Sequence, residues 1–233
     1  MRVQFYPEPL LKGHKLAYMG LDVTDNNPQI AFNWHWTGTV WESIIWDSIP
    51  VINRKCLNTS KSYVDKIFTE VYGYSSEATG VWAVEKPDTT NGYKDCRMVN
   101  KMQKRPGCFY QMPFMDCTQQ SCNITEYRIT VMDYQPVITL LKHKTIMVDN
   151  LIGKVNRYEL VDVLYDSKLT EFCRAYPLEY GELDCIYFDD RFWIFDVNPT
   201  PGDAAFVNMP QEMSREYQNR YKHYLYTWLT RLI

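Results

Sequence analysis

Apolar positions recur along this chain at two periods, and the changes between them mark out its elements. Val64, Ile67, Phe68, Val71 and Tyr72 fall three and four residues apart, which places them on one face of a helix. Asn58, Thr59 or Ser60 can cap its start, and Gly73 sits where a left-handed C-terminal cap belongs. A second helix is predicted over 157–176, with Leu169, Phe172, Cys173 and Tyr176 as its buried stripe. A third follows the start signals Asn208 and Pro210 and carries Met213, Tyr217, Tyr221, Tyr224, Trp228 and Leu232 at helical spacing, a pattern of core packing.

Between the helices the pattern shortens to strands. Pro50–Asn53, Val81–Lys86 and Cys108–Met115 are short apolar runs, and Trp82, Val84 and Lys86 share one face of the second. Ile124–Met132 and Val137–Leu141 are predicted to pair as a hairpin around Asp133–Pro136, with Glu126, Arg128 and Thr130 on one face. Leu183–Phe188 and Phe192–Asn198 form a second hairpin. Residues 1–45 show only a turn-rich Asp22–Pro28 and the aromatic run Asn33–Trp36. The ordering predicts an α+β architecture.

Composition narrows this reading a little. The chain has 233 residues, 45% of them apolar and 23% charged, which describes an ordinary folded domain rather than a disordered one. A net charge of −3 advertises no nucleic-acid partner, and no apolar run reaches the ~20 residues of a membrane span. The start lacks the apolar core of a signal peptide, and seven irregularly spaced cysteines suit reduced thiols, so a cytoplasmic location is expected. Cys108, Cys117 and Cys122 cluster, but without a C-x-x-C pair or a fourth ligand they make a poor zinc site. His14, His35, His143 and His223 are scattered and suggest no triad.

The second hairpin holds the most chemistry. If Asp189-Asp190-Arg191 forms a three-residue loop, Phe188 faces Phe192, Ile186 faces Ile194 and Asp184 faces Asp196, with Asn198 on the same side. Two facing carboxylates repel, and a divalent cation would reverse that penalty; an all-oxygen set favours a hard ion such as Mg²⁺. The same residues also suit strand ends and turns, and spacing alone supports both readings equally. A two-residue loop would break this register.

Leu183-Asp184, a hairpin, then Asp196-Val197-Asn198-Pro199-Thr200-Pro201-Gly202 resembles the end of an ATP-grasp catalytic domain. Earlier segments agree in order: Ser60-Lys61 with Val71-Tyr72-Gly73-Tyr74, then Val84-Glu85-Lys86, Phe109–Asp116 and Glu126-Tyr127-Arg128. The resemblance covers residues 50–205. It implies two α+β subdomains clasping a nucleotide, behind an abbreviated N-terminal region over 1–50, with a catalytic domain over 51–205 and a packed helix over 206–233. By the same resemblance Asp184, Asp196 and Asn198 would hold Mg²⁺, and Lys86 and Arg128 would act on the transferring phosphate. Lys61, Lys86, Gln111, Asp116 and Lys142 would bind ATP. Two departures stand out. Glu182 occupies the place where the D-alanine ligase branch carries arginine, and the expected glycine-rich loop, Thr89-Thr90-Asn91-Gly92, has one glycine.

The activity implied is an ATP- and Mg²⁺-dependent ligase that makes an acyl phosphate from a carboxylate for attack by an amine or thiol. The acceptor is a small molecule or is borne by a protein or peptide. A phosphotransferase on the same scaffold and a non-catalytic nucleotide-binding module stay open. No nucleic-acid or membrane partner is expected, and the C-terminal aromatic helix is compatible with packing in cis or across a homodimer.

Overall fold

The structure is a computed structural model and describes residues 1–34, 48–56, 58, 60–88, 96–100, 104–114, 120–147, 150–163 and 166–233. A first sheet, order β2-β1-β3-β4, consists of β1 (Arg2–Pro7), β2 (Asp22–Val23), β3 (Ile30–Trp34) and β4 (Val51–Ile52), all parallel. The single-turn 3-10 helix Lys15–Tyr18 lies between β1 and β2. Of this sheet the sequence predicted only β4, within Pro50–Asn53; β3 is buried at every position, and a continuously buried strand shows no alternation.

Helix α1 (Lys61–Tyr72) starts at Ser60, whose hydroxyl accepts the Tyr63 N–H, and ends at Gly73 with φ 84°, as the sequence predicts. A three-stranded antiparallel sheet follows, order β6-β5-β7, from β5 (Trp82–Pro87), β6 (Arg97–Asn100) and β7 (Cys108–Gln111). Its β5 turns Ala83 and Glu85 into the protein and leaves Val84 and Lys86 on the other face.

The largest sheet has order β10-β9-β8-β11-β12 and is antiparallel throughout. Its strands are β8 (Ser121–Met132), β9 (Gln135–Met147), β10 (Asn150–Val161), β11 (Tyr180–Phe188) and β12 (Arg191–Asn198). Here the helix predicted over 157–176 is corrected. Residues 157–161 belong to β10 and pair with β9, and α2 is confined to Ser167–Ala175. The helical stripe itself is real: Leu169, Phe172, Cys173 and Tyr176 are all buried.

One face of this sheet, through Ile129, Val131, Leu183, Cys185 and Ile194, packs on α1 and α2. The opposite face is split between two environments. One end, through Met132, Ile138, Leu140 and Tyr180, joins the core shared with the parallel sheet and α4 (Gln211–Leu229). The other end carries polar and charged residues. Preceding α4, and separate from it, is the short α3 (Ala204–Asn208). The predicted aromatic stripe of α4 is corrected at one position: Tyr217, Tyr221 and Trp228 are buried, but Leu225 rather than Tyr224 completes the seam.

Candidate active site

The hairpin β11–β12 turns through two residues, not three. Asp189 and Asp190 have φ 53° and 56°, the left-handed pair that a tight hairpin turn uses, and Phe188 pairs with Arg191. Left alone, that turn would place Asp184 and Asp196 out of register. A β-bulge between the Asp184 and Cys185 rungs takes up Phe195 as an extra residue. Beyond it, Asp184 faces Asp196 and Glu182 faces Asn198. The expected acid pair is therefore present, by a route different from the predicted one.

Neighbouring strands extend this rung. Arg128 of β8 lies opposite Asp184 and grips it with two hydrogen bonds, Nε to Oδ1 at 2.7 Å and Nη2 to Oδ2 at 2.8 Å. Burial alone would raise the Asp184 pKa, but Arg128, Lys142 and Lys144 hold its carboxyl well below the usual range. On the next rung, Glu126 of β8 is buried and receives Lys142 and Lys144 of β9, one on each carboxylate oxygen. Lys142 also lies 3.6 Å from Asp184. Both lysines sit inside a strand, not after one, and alternation puts them on one face.

Asp196 is held by Lys61, the first residue of α1, through Oδ1; its Oδ2 takes no hydrogen bond among the described residues. Asn198 Oδ1 accepts the Thr200 N–H at 3.1 Å and retains a second lone pair. These donors are hard oxygens of the kind Mg²⁺ takes; Asp196 and Asn198 each keep acceptor capacity, while both Asp184 oxygens are bonded to Arg128.

A cavity of about 370 Å³ lies between this charged face and the three-stranded sheet. Val84, Ile124, Ile146, Val155, Ile186 and Phe195 make it largely apolar. Lys86, Arg128, Lys142 and Lys144 also line it, with Glu126 as the carboxylate among them. Lys86 differs from the other three: it has no hydrogen bond or ion pair among the described residues, only the Phe195 ring 5.3 Å from its ammonium. Burial pushes its pKa down to about 8, with Asp196 opposing.

Of the residues expected to contact nucleotide, Lys86, Gln111, Arg128 and Lys142 line this one cavity. Lys61 is buried against Asp196. Asp184, Asp196 and Asn198 occupy the adjoining hairpin rungs rather than the cavity lining. Asp116 and Thr89–Gly92 lie outside the described residues.

Two features escaped the sequence reading. Glu126 was legible only as a neighbour of Arg128 on one strand face; its lysine partners come from β9. Lys15 gave no signal at all. It is fully buried, with its ammonium on Glu182 and on the Tyr217 hydroxyl at 2.8 Å. Glu182 thus meets a lysine from the N-terminal region, and its Oε2, buried without a hydrogen bond, lies 3.6 Å from Arg128 Nε.

No protein-family model matches this sequence, and no curated protein matches it. Solved structures do. The D-alanine–D-alanine ligase from Bacillus anthracis complexed with ATP aligns with a TM-score of 0.60 at 12% identity, over 99% of this chain and 96% of that one. The macrocyclase MdnC from Microcystis aeruginosa MRC, bound with precursor peptide MdnA, aligns at 0.52 and 11% identity, over 85% and 91%. The ATP-grasp ligase PsnB, complexed with precursor peptide PsnA2 and AMPPNP, aligns at 0.51 and 11% identity, over 88% and 90%. Against PsnB with minimal precursor, the chain spans 59% of the other's length. The mixed sheets and helices described above are those of the ATP-grasp fold, and the chain has that fold.

Proposed function

We propose that this protein is an ATP-dependent ligase that phosphorylates a carboxylate and passes the acyl group to an amine or thiol. The observation that carries the reading is the cavity. It offers an apolar wall to a base and four cations to phosphates, and Lys86 has no counter-ion within ion-pair distance among the described residues. A half-buried ammonium without a neighbouring anion costs free energy that a ligand anion offsets.

In the proposed reaction a substrate carboxylate oxygen attacks the γ-phosphorus of ATP. The bond from that phosphorus to the β–γ bridging oxygen breaks, and ADP leaves. An amine or thiol then attacks the acyl phosphate carbonyl, loses its proton and expels phosphate. Charge accumulates on phosphoryl oxygens during transfer, so positioned cations lower the barrier. Arg128 suits this role because Asp184 fixes two of its five N–H groups and leaves three for the ligand. Lys86, Lys142 and Lys144 add positive charge along the same cavity. Asp184, Asp196 and Asn198 would hold Mg²⁺, which when bound supplies further neutralisation of the phosphates. Gln111, buried beside the apolar wall, suits the base. Two structural neighbours are bound with precursor peptides, which makes a peptide-borne carboxylate the first substrate class to try.

Hydroxylamine trapping tests the proposal. With Mg²⁺, ATP and a panel of acidic peptides and small carboxylates, a ligase forms a hydroxamate and one ADP for each. A stable phosphorylated product would instead identify a phosphotransferase. Nucleotide binding without ADP formation across the panel would contradict catalysis and leave a binding module.

A further inference from the structure

Resting on the nucleotide reading above, we propose that Lys61 is a built-in counter-ion of the cation site. It neutralises Asp196 in the nucleotide-free protein and competes with a divalent cation for that carboxylate. Asp196 is 9% exposed and faces Asp184 across the β11–β12 ladder. Facing carboxylates repel, and each of these two is gripped by an organic cation: Arg128 on Asp184, with Lys142 3.6 Å away, and Lys61 on Asp196. The two balances differ in kind. Arg128 is a planar fork bonded to both oxygens of Asp184, whereas Lys61 is a point charge on a flexible stem that engages only Oδ1.

The backbone at Lys61 is fixed. Ser60 accepts the Tyr63 N–H at 3.3 Å, and Ser62 donates its N–H and hydroxyl to Asp88 at 2.8 and 2.6 Å. Exchange is therefore a motion of one side chain. A bare divalent cation meets a carboxylate whose charge Lys61 already balances, and it gains both oxygens by expelling the ammonium of a buried lysine that then lacks that partner. Nucleotide phosphates in the neighbouring cavity give that ammonium a new partner. Cation and nucleotide binding are thereby coupled, and Lys61 is the residue that couples them.

The test is the affinity for Mn²⁺ alone, read by electron paramagnetic resonance, in wild type, Lys61→Met and Lys61→Gln. Lys61→Gln keeps a hydrogen-bond donor for Asp196 and guards against loss of folding. Both variants should bind Mn²⁺ at least about ten-fold tighter than wild type, a difference of about 1.4 kcal/mol. Lys61→Arg, which keeps the charge, should gain nothing. Unchanged or weaker Mn²⁺ binding in the Met and Gln variants overturns the proposal. Calorimetry of wild type with Mn²⁺ and AMPPNP separates the two failures. If nucleotide still binds, only the role of Lys61 falls; if it does not, the nucleotide reading falls with it.

Discussion

At the scale of single residues, the site is a set of charges, most of them held by a named partner. Arg128 bridges Asp184 in front and lies near Glu182 and Glu126 at 3.6 and 4.0 Å. Arg128→Gln removes the cation from this nest of carboxylates and leaves Asp184 buried with weak compensation from Lys142. Breaking one side of a buried pair costs about 3–5 kcal/mol, and an unfolding free energy lowered by that amount in a urea titration is the expected result. Lys86 gives a pH signature. Its ordinary pKa is 10.5 and its folded value about 8, set by burial and opposed by Asp196. Between those values the unfolded chain binds more protons, so this residue makes stability rise with pH. Nucleotide binding runs the other way, because phosphate wants the ammonium charged. Affinity for ATP should fall as pH rises through about 8, and Lys86→Met should bind weakly with that step removed; calorimetry across pH 7–9 checks both. The groups that act on Lys86 electrostatically are Lys61, Cys96, Asp184 and Asp196.

Elements place these residues, and here the limits of a sequence reading have physical causes. Helix α1 was legible at both ends, because a serine cap and a glycine with positive φ are local chemistry. The acid pair was legible in outcome but not in mechanism: two adjacent aspartates accept the left-handed turn, and the bulge at Phe195 restores the register. Nothing local announces a bulge, since it is decided by what the two strands must bury. The misread stretch before α2 failed for a related reason. Tyr158 and Leu160 fit either period, and pairing with β9 decided for the strand. Glycine matters most at Gly181, which lets the start of β11 approach the end of β12 closely. A Cβ there would stand 2.7 Å from Asn198 O and 3.0 Å from Pro199 Cα. Gly181→Ala should therefore push Asn198 out of line. It should cost about 1–3 kcal/mol, as overpacking does, and weaken metal-dependent nucleotide binding more than Leu183→Ala or Cys185→Ala, which lie on the opposite face of β11. Thermal melts with and without Mg-ATP read both effects.

The whole molecule joins a charged sheet face, a small covering sheet and a parallel N-terminal sheet. The N-terminal segment reaches the β11–β12 hairpin and the turn after it directly. Lys15 N–H donates to Pro201 O at 3.1 Å, Asp203 N–H to Gly13 O at 2.9 Å, and the Lys15 side chain closes on Glu182. These contacts join residues at least 167 positions apart, which is why no window of sequence revealed them. The resemblance over 50–205 did reveal the fold, because the order of its motifs is itself topological information. What it left open was how each acid is balanced, since partners such as Lys15, Lys61 and Lys144 come from other elements.

The central claim, that the cavity beside the Asp184–Asp196 rung is a nucleotide site, is tested most directly by thermal stability with and without Mg-ATP. At ~100 times its dissociation constant a ligand stabilises by ~2.7 kcal/mol, roughly 5–11 °C for a chain of this size. The account predicts that rise in wild type, and its loss in an Asp196→Ala variant that still melts cooperatively. A wild-type melting temperature unmoved by millimolar Mg-ATP, or an equal rise in Asp196→Ala, would contradict it.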